Sequence, residues 1–178
     1  MEDGERPFMI EIVVGDILKS KADVIVFSAH PSLLAGSGVS GVIHRAAGPE
    51  LEKAAKTLGP LSPGEAVITP AFNLSASYII HGVCPRYIYG TLEEEQALAQ
   101  AYKSALDFRE QAMGANHIAF VSMGTGVYQW PLELAADIAI NALVQSGFET
   151  TILYVVDEVT QGVYQQALDN LRIVRPKH

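Results

Sequence analysis

Two short glycine-rich stretches carry the chemistry that this chain could perform. The first is Leu34-Ala35-Gly36-Ser37-Gly38-Val39-Ser40-Gly41-Val42-Ile43-His44. It follows the apolar run Asp23-Val24-Ile25-Val26-Phe27 and passes into a helical pattern. The second, Ser122-Met123-Gly124-Thr125-Gly126-Val127-Tyr128, leaves another apolar run, His117-Ile118-Ala119-Phe120-Val121. Glycine lets backbone N–H groups come close to an anion, and a helix N-terminus adds partial positive charge. One glycine-rich turn is weak evidence, because such turns are common. Two of them, each between a strand and a helix, point to a ligand with two phosphates.

Other side chains near these loops have two readings. Asp16, in Gly15-Asp16-Ile17 after the first predicted strand, either caps a turn or accepts a hydrogen bond from an exocyclic amine such as that of adenine. Tyr128 and Trp130 either cover a ribose or a base, or seal the edge of the core. His81 lies in a strand pattern and reads as a satisfied core histidine. His44 lies five residues into a helix and reads as packing. His30 ends the second strand beside the first glycine loop, so it is the histidine expected to face a ligand. Glu93-Glu94-Glu95 reads as a first helical turn that complements the helix dipole rather than as catalytic carboxylates. No zinc-helix spacing, nucleophile elbow or Walker loop is present, so no metal is expected.

The elements that position these residues alternate. Strand-like segments cover residues 8–14, 23–28, 65–69, 78–83, 117–122 and 151–156. Helical periodicity covers 39–57 with a break at Gly48-Pro49, then 92–113, 132–145 and 159–171. Gly114-Ala115-Asn116 offers a stop for the long helix and Gly147 for the next. Alternation of this kind predicts one three-layer α/β/α domain over residues 1–178, with its motifs in about 8–171. Two consecutive strands, 65–69 and 78–83, have no helix between them, so the sheet of about six strands is expected to be mixed.

At 178 residues with 49% hydrophobic and 18% charged, the chain can bury a full core and is not expected to be disordered. A net charge of −8 argues against broad nucleic-acid binding. It does not argue against a small anion held by backbone N–H groups. Cys84 is the only cysteine, which excludes an internal disulfide and a multi-cysteine zinc site and fits a reducing cytosol. The start of the chain lacks the basic and apolar regions of a signal peptide, and no apolar run approaches a membrane span. A cytoplasmic location with no membrane partner is expected. Asn73-Leu74-Ser75 matches a glycosylation acceptor by chance.

Together these segments resemble the macro domain family. The likeness runs from about Ile12 to Leu143 and rests on four ordered motifs. They are Gly15-Asp16-Ile17; Gly41-Val42-Ile43-His44-Arg45-Ala46-Ala47-Gly48-Pro49 with the loop before it; Pro63-Gly64-Glu65-Ala66 leading to Tyr78-Ile79-Ile80-His81; and Gly124-Thr125-Gly126-Val127-Tyr128. The resemblance implies a mixed sheet between helices and a cleft for ADP-ribose or its derivatives at the strand ends, with no further cofactor. It implies that Asp16 holds the adenine amine and that Ile17 adds a backbone contact. Gly36, Ser37, Gly38, Val39, Ser40 and Gly41 would hold one phosphate. Ser122, Gly124, Thr125, Gly126 and Val127 would hold the other, with Tyr128 beside the distal ribose and Ala29 and His30 lining the cleft.

Hydrolytic members of the family carry Asn-Ala-Ala-Asn where this chain has Phe27-Ser28-Ala29-His30, and an Asp where it has Ser40. A carboxylate can activate or steer water; a neutral hydroxyl near pH 7 cannot act as a base without its own partner. The aromatic residue that stacks on adenine in many members is not evident either, and Asp157 or a neighbour falls there. The resemblance therefore implies a reader of ADP-ribose, free or on a modified protein, without efficient hydrolysis. Two alternatives stand beside it. One is an ADP-ribosyl hydrolase, deacylase or phosphatase using His30 as acid–base. The other is an interaction scaffold with a degenerate cleft.

Overall fold

A computed structural model describes residues 9–124 and 128–174. Its sheet has six strands: β1 (Ile10–Val14), β2 (Val24–Ser28), β3 (Ala66–Pro70), β4 (Tyr78–Gly82), β5 (His117–Val121) and β6 (Thr150–Val155). Their spatial order is β1-β6-β5-β2-β4-β3. Every neighbouring pair is parallel except β3 and β4, where Ala66 faces Gly82 and Pro70 faces Tyr78. The two strands that lack a helix between them are the antiparallel pair, so the sheet is mixed.

The α-helices among the described residues are α1 (Gly38–Ala47), α2 (Pro49–Lys56), α3 (Leu92–Leu106), α4 (Leu132–Leu143) and α5 (Glu158–Val174). α3, α4 and α5 bury one face of the sheet through Leu98, Tyr102, Ala139, Tyr164 and Leu168 against Val24, Val26, Ile118, Phe120 and Leu153. α1 and α2 bury the other through Ile43, Ala47, Leu51 and Ala55 against Ile25, Phe27 and Ile79. β2 lies between β4 and β5 and is covered on both faces, which is why it reads as an unbroken apolar run. Each large aliphatic side chain buried there contributes about 1.5–3 kcal/mol.

Gly48 separates α1 from α2. Its φ of +97° favours glycine, and a Cβ there would stand 2.8 Å from Asn73 Nδ2. α3 is shorter than its periodicity predicts. It stops at Leu106, and Asp107–Arg109 tighten into a 3-10 turn. The apolar rhythm continues because Ala112 and Ala115 are buried in the same core, but they arrive through turns that end at Gly114 (φ +79°).

Asp23 fastens the end of the sheet away from the glycine loops. Its carboxylate accepts the N–H groups of Asn116 (2.9 Å) and His117 (3.0 Å), and its carbonyl accepts those of Ser77 (2.8 Å) and Tyr78 (3.2 Å). The starts of β2, β4 and β5 are thus held by one residue.

Candidate functional site

Parallel strands deliver their following loops to one edge. The loops after β1, β6, β5, β2 and β4 all leave there. β2 and β5 are neighbours, so the two glycine loops start side by side. The loop that carries Asp16 starts three strand spacings away from β2, roughly 14 Å.

Asp16 is exposed and its Oδ1 accepts the N–H of Leu18 (2.9 Å), capping the 3-10 turn Ile17–Lys19. The turn-cap reading holds, and the second carboxylate oxygen is left for another donor. Ile17 is buried in the core beneath it.

After β2, Ala29 N–H donates to Gly82 O (2.8 Å), which prolongs the ladder by one residue. His30 is exposed. Its Nδ1 accepts the N–H of Ser32 (3.1 Å) and lies 2.8 Å from Ser32 Oγ. A neutral His30 therefore carries its proton on Nε2. Gly36, Ser37, Gly38 and Val39 are all exposed. Ser37 has the extended backbone of an N-cap, but its side chain caps nothing. The loop is shaped by Gly41, where a Cβ would stand 2.3 Å from the carbonyl oxygen of Gly36. It is anchored by Glu52 of α2, whose Oε1 accepts the N–H of Ala35 (3.0 Å). Ser40 differs from its neighbours: it is buried, and its Oγ has no partner among the described residues.

The second loop is pinned at its start to β6 and α3, and farther on to the segment after β4. Ser122 N–H donates to Tyr154 O (3.1 Å), and Met123 N–H to the Tyr102 hydroxyl (2.9 Å). Gly124 has φ +92°, and its carbonyl accepts the N–H of Trp130 (3.2 Å). Thr125, Gly126 and Val127 lie outside the described residues. Trp130 is buried and its Nε1–H donates to Pro85 O (2.9 Å), so this ring seals the core edge. Tyr128 is half-buried. Its carbonyl accepts Tyr87 N–H (3.1 Å), and the Arg86 guanidinium carbon lies 5.5 Å from its ring centroid. Nothing in the local sequence marked Arg86 or Tyr87. They follow β4 and meet Tyr128 only through the fold.

The remaining titratable groups sort by burial. His81 is pushed down to about 3, first by burial and then by the neighbouring His44. His44 is lowered by burial, with Glu52 opposing. Burial pushes the Cys84 thiol up to about 12 against a hydrogen bond from Ser28, so it is no nucleophile near neutrality. His81 is only partly the satisfied core histidine that its strand position predicts. Its Nε2 bonds Thr69 Oγ1 (3.0 Å), but Nδ1 has no partner among the described residues. Asp157 caps α5 by accepting Thr160 N–H (2.8 Å), and exposed Val156 precedes it. No cluster of potential metal ligands exists among the described residues, and no described helix is long and apolar enough to cross a membrane. Two grooves, between α3 and α4 and between α4 and α5, share no described residue with the glycine loops.

The family model for the Macro domain matches residues 26–139. An O-acetyl-ADP-ribose deacetylase of Klebsiella pneumoniae (strain 342) is 43% identical over 170 residues, covering 89% of this chain and 95% of that protein. A macro domain-containing protein of Lactiplantibacillus plantarum is 40% identical over 168 residues, with 89% and 95% covered. The Oceanobacillus iheyensis macrodomain with ADP superposes with a TM-score of 0.85 at 37% identity, covering 92% of each chain. The Trypanosoma brucei macrodomain in complex with ADP-ribose gives 0.80 at 28% identity, covering 90% of this chain and 69% of that one. By family model, sequence identity and fold alike, this chain belongs to the macro domain family.

Proposed function

We propose that this chain binds ADP-ribose or an ADP-ribose derivative across the edge where the parallel strands end, and that it hydrolyses such ligands poorly. The observation that carries the reading is the N-terminus of α1, which is glycine-lined, exposed and without a side-chain cap beside the second glycine loop. Unsatisfied N–H groups at a helix start are an anion site. In this reading Asp16 offers its second oxygen to the adenine amine, and the two loops take the two phosphates. Tyr128 and the Nε2–H of His30 face the distal ribose. The relatives support the ligand class, since one is named for an ADP-ribose ester and a solved neighbour holds ADP-ribose.

Poor turnover follows from what stands near the distal ribose. Hydrolysis of an ester there needs a group that takes a proton from water. Ser40 is a buried neutral hydroxyl. His30 uses its Nδ1 lone pair on Ser32, so its outward Nε2–H donates rather than accepts. The second reading is an ester-cleaving enzyme in which His30 acts as the imidazolium: its Nδ1–H donates to Ser32 Oγ (2.8 Å) and its Nε2 proton goes to the leaving oxygen.

Calorimetry with ADP-ribose, followed by overnight incubation with ADP-ribosylated protein and product analysis, separates the two. Measurable affinity with turnover near background is expected. The double change His30→Asn with Ser40→Asp should recover turnover if these positions alone are at fault. Robust turnover that His30→Ala abolishes would establish the enzyme reading instead. Absence of ADP-ribose affinity would leave the scaffold.

A further inference from the structure

Ser40 Oγ, His44 Nδ1 and His81 Nδ1 are buried polar atoms without a partner among the described residues, and they belong to side chains on α1 and on the neighbouring face of β4. Ser40 and His44 are one turn apart on α1, on the same helix face. His81 belongs to β4. The two imidazole centroids are 6.3 Å apart with ring planes at 62°. Phe27 packs edge-on against both rings, its centroid 6.1 Å from His44 and 5.1 Å from His81. The residues keep only 8%, 6% and 0% of their exposure, so bulk water does not reach them.

Hydrogen-bond accounting fixes what is missing. Thr69 Oγ1 donates its single proton to Pro70 O (3.0 Å). His81 Nε2–H must therefore donate to Thr69 Oγ1 (3.0 Å), which leaves Nδ1 as a bare acceptor in the neutral ring. Burial keeps both rings neutral near pH 7. Ser40 brings the complementary group, a buried hydroxyl proton without an acceptor. With the His44 proton on Nε2 as well, two bare nitrogens and one free O–H are what a water molecule can satisfy at once. It donates to both nitrogens and accepts from the hydroxyl, three bonds in all, as is typical of buried water.

We propose that Ser40, His44 and His81 hold one buried water between them, and that this water ties the first turn of α1 to β4. The site needs no nucleotide, so it goes beyond the functional reading and stands or falls apart from it. It gives Ser40 a positioning role: the hydroxyl fastens the helix end whose N–H groups line the first glycine loop.

The test uses the full chain, labelled with 15N and free of ADP-ribose, at pH 7. Imidazole 15N shifts should place the proton of both rings on Nε2 and mark both Nδ1 atoms as acceptors. Ring or hydroxyl protons should show cross-relaxation with a long-lived water. A proton on Nδ1 of either ring, or a direct Ser40 hydroxyl to Nδ1 bond with no water signal, would overturn the proposal. Amide hydrogen exchange reads the positioning role. Ser40→Ala should speed exchange in the first turn of α1 by about tenfold while α3 keeps its protection, and Ser40→Thr, which retains the hydroxyl, should restore it. Unchanged exchange in Ser40→Ala would remove the tie.

Discussion

The N-termini of α1 and α3 meet the same physical demand in opposite ways. Both expose backbone N–H groups and the positive end of a helix dipole. At α3 the chain supplies its own anion. Thr91 Oγ1 accepts Glu94 N–H (3.2 Å), and the Glu94 carboxylate accepts the N–H groups of Ile88, Tyr89, Gly90 and Thr91, the shortest at 2.8 Å. Desolvation works against that carboxylate, yet the hydrogen bonds from Tyr89, Gly90, Ile88 and Thr91 hold it below the usual carboxylate range. At α1 no side chain does this. Ser37 caps nothing, and the nearby Glu52 is spent on Ala35. Two further helix starts differ in the same way. α5 is capped by Asp157, whereas α4, which follows the second glycine loop, begins at Pro131 without a side-chain cap among the described residues. Carboxylates close the starts of α3 and α5, whereas α1, α2 and α4 carry no side-chain cap, and of these α1 and α4 follow the glycine loops.

The largest break in that comparison comes from Gly41→Ala. In a helix interior alanine is better than glycine by about 1 kcal/mol. Here its Cβ would overlap the Gly36 carbonyl at 2.3 Å, so the loop must shift. Displacing two N–H groups that bond a phosphate costs about 3 kcal/mol or more. ADP-ribose affinity by calorimetry should fall at least about 100-fold. A change below about threefold would show that the ligand does not sit on this loop.

Acid should separate the two helix ends next. The folded pKa of His81, about 3, is well below its unfolded value of 6.5. Below pH 6.5 the unfolded chain binds the extra proton, so this stability is complete above pH 6.5 and is lost as pH falls toward 3. At pH 5 the loss is about 2 kcal/mol, and lowered His44 adds to it with the same sign. Glu94, also lowered, keeps its charge between pH 7 and pH 5, since its contribution begins to be lost only as pH falls below 4.5. Urea midpoints at pH 7 and pH 5 should show the loss, and hydrogen exchange should show α1 loosening before α3. His81→Leu should flatten the dependence. Equal midpoints in the native chain would rule out a neutral buried pair.

Much of this was legible from local pattern, and the remainder is long-range. Apolar runs and glycine punctuation located all six strands, and Gly48-Pro49 marked the break between α1 and α2. The Glu93-Glu94-Glu95 run was readable as a dipole-facing first turn because a capping box is local. By contrast, the closeness of the His44 and His81 rings joins residues 37 apart on different elements. The Arg86 contact with Tyr128 needs two loops to meet. Apolar rhythm overran the end of α3 because buried Ala112 and Ala115 signal a core position without signalling helix. Periodicity reports burial, and only neighbours in space report chemistry.

Asp16 sharpens the contrast at smaller cost, because its carboxylate already caps one turn as Asp157 caps α5. Asp16→Asn retains an acceptor for Leu18 N–H and removes the charge. Stability should hold, and ADP-ribose affinity should fall about tenfold, near 1.4 kcal/mol. Asp16→Ala should lose the cap as well, and with it about 1 kcal/mol of stability. Equal affinity in the native chain and both variants would take Asp16 out of the site.

The smallest effect is the most direct check on the comparison. Glu94→Ala empties the nest of N–H groups at α3 and makes that end resemble α1. The helix should weaken modestly, while ADP-ribose affinity stays as it was, because α1 and the second loop are untouched. An emptied nest should then accept an outside anion. Sulfate raises the stability of most proteins by exclusion from their surface, so the raw change is uninformative. Thr91→Ala supplies the control: it loses the hydroxyl cap, about 1 kcal/mol, but keeps the Glu94 carboxylate in place. Sulfate should therefore stabilise Glu94→Ala more than Thr91→Ala at equal ionic strength. Equal gains would mean that this nest cannot hold a free anion, and the parallel drawn with α1 would lose its force.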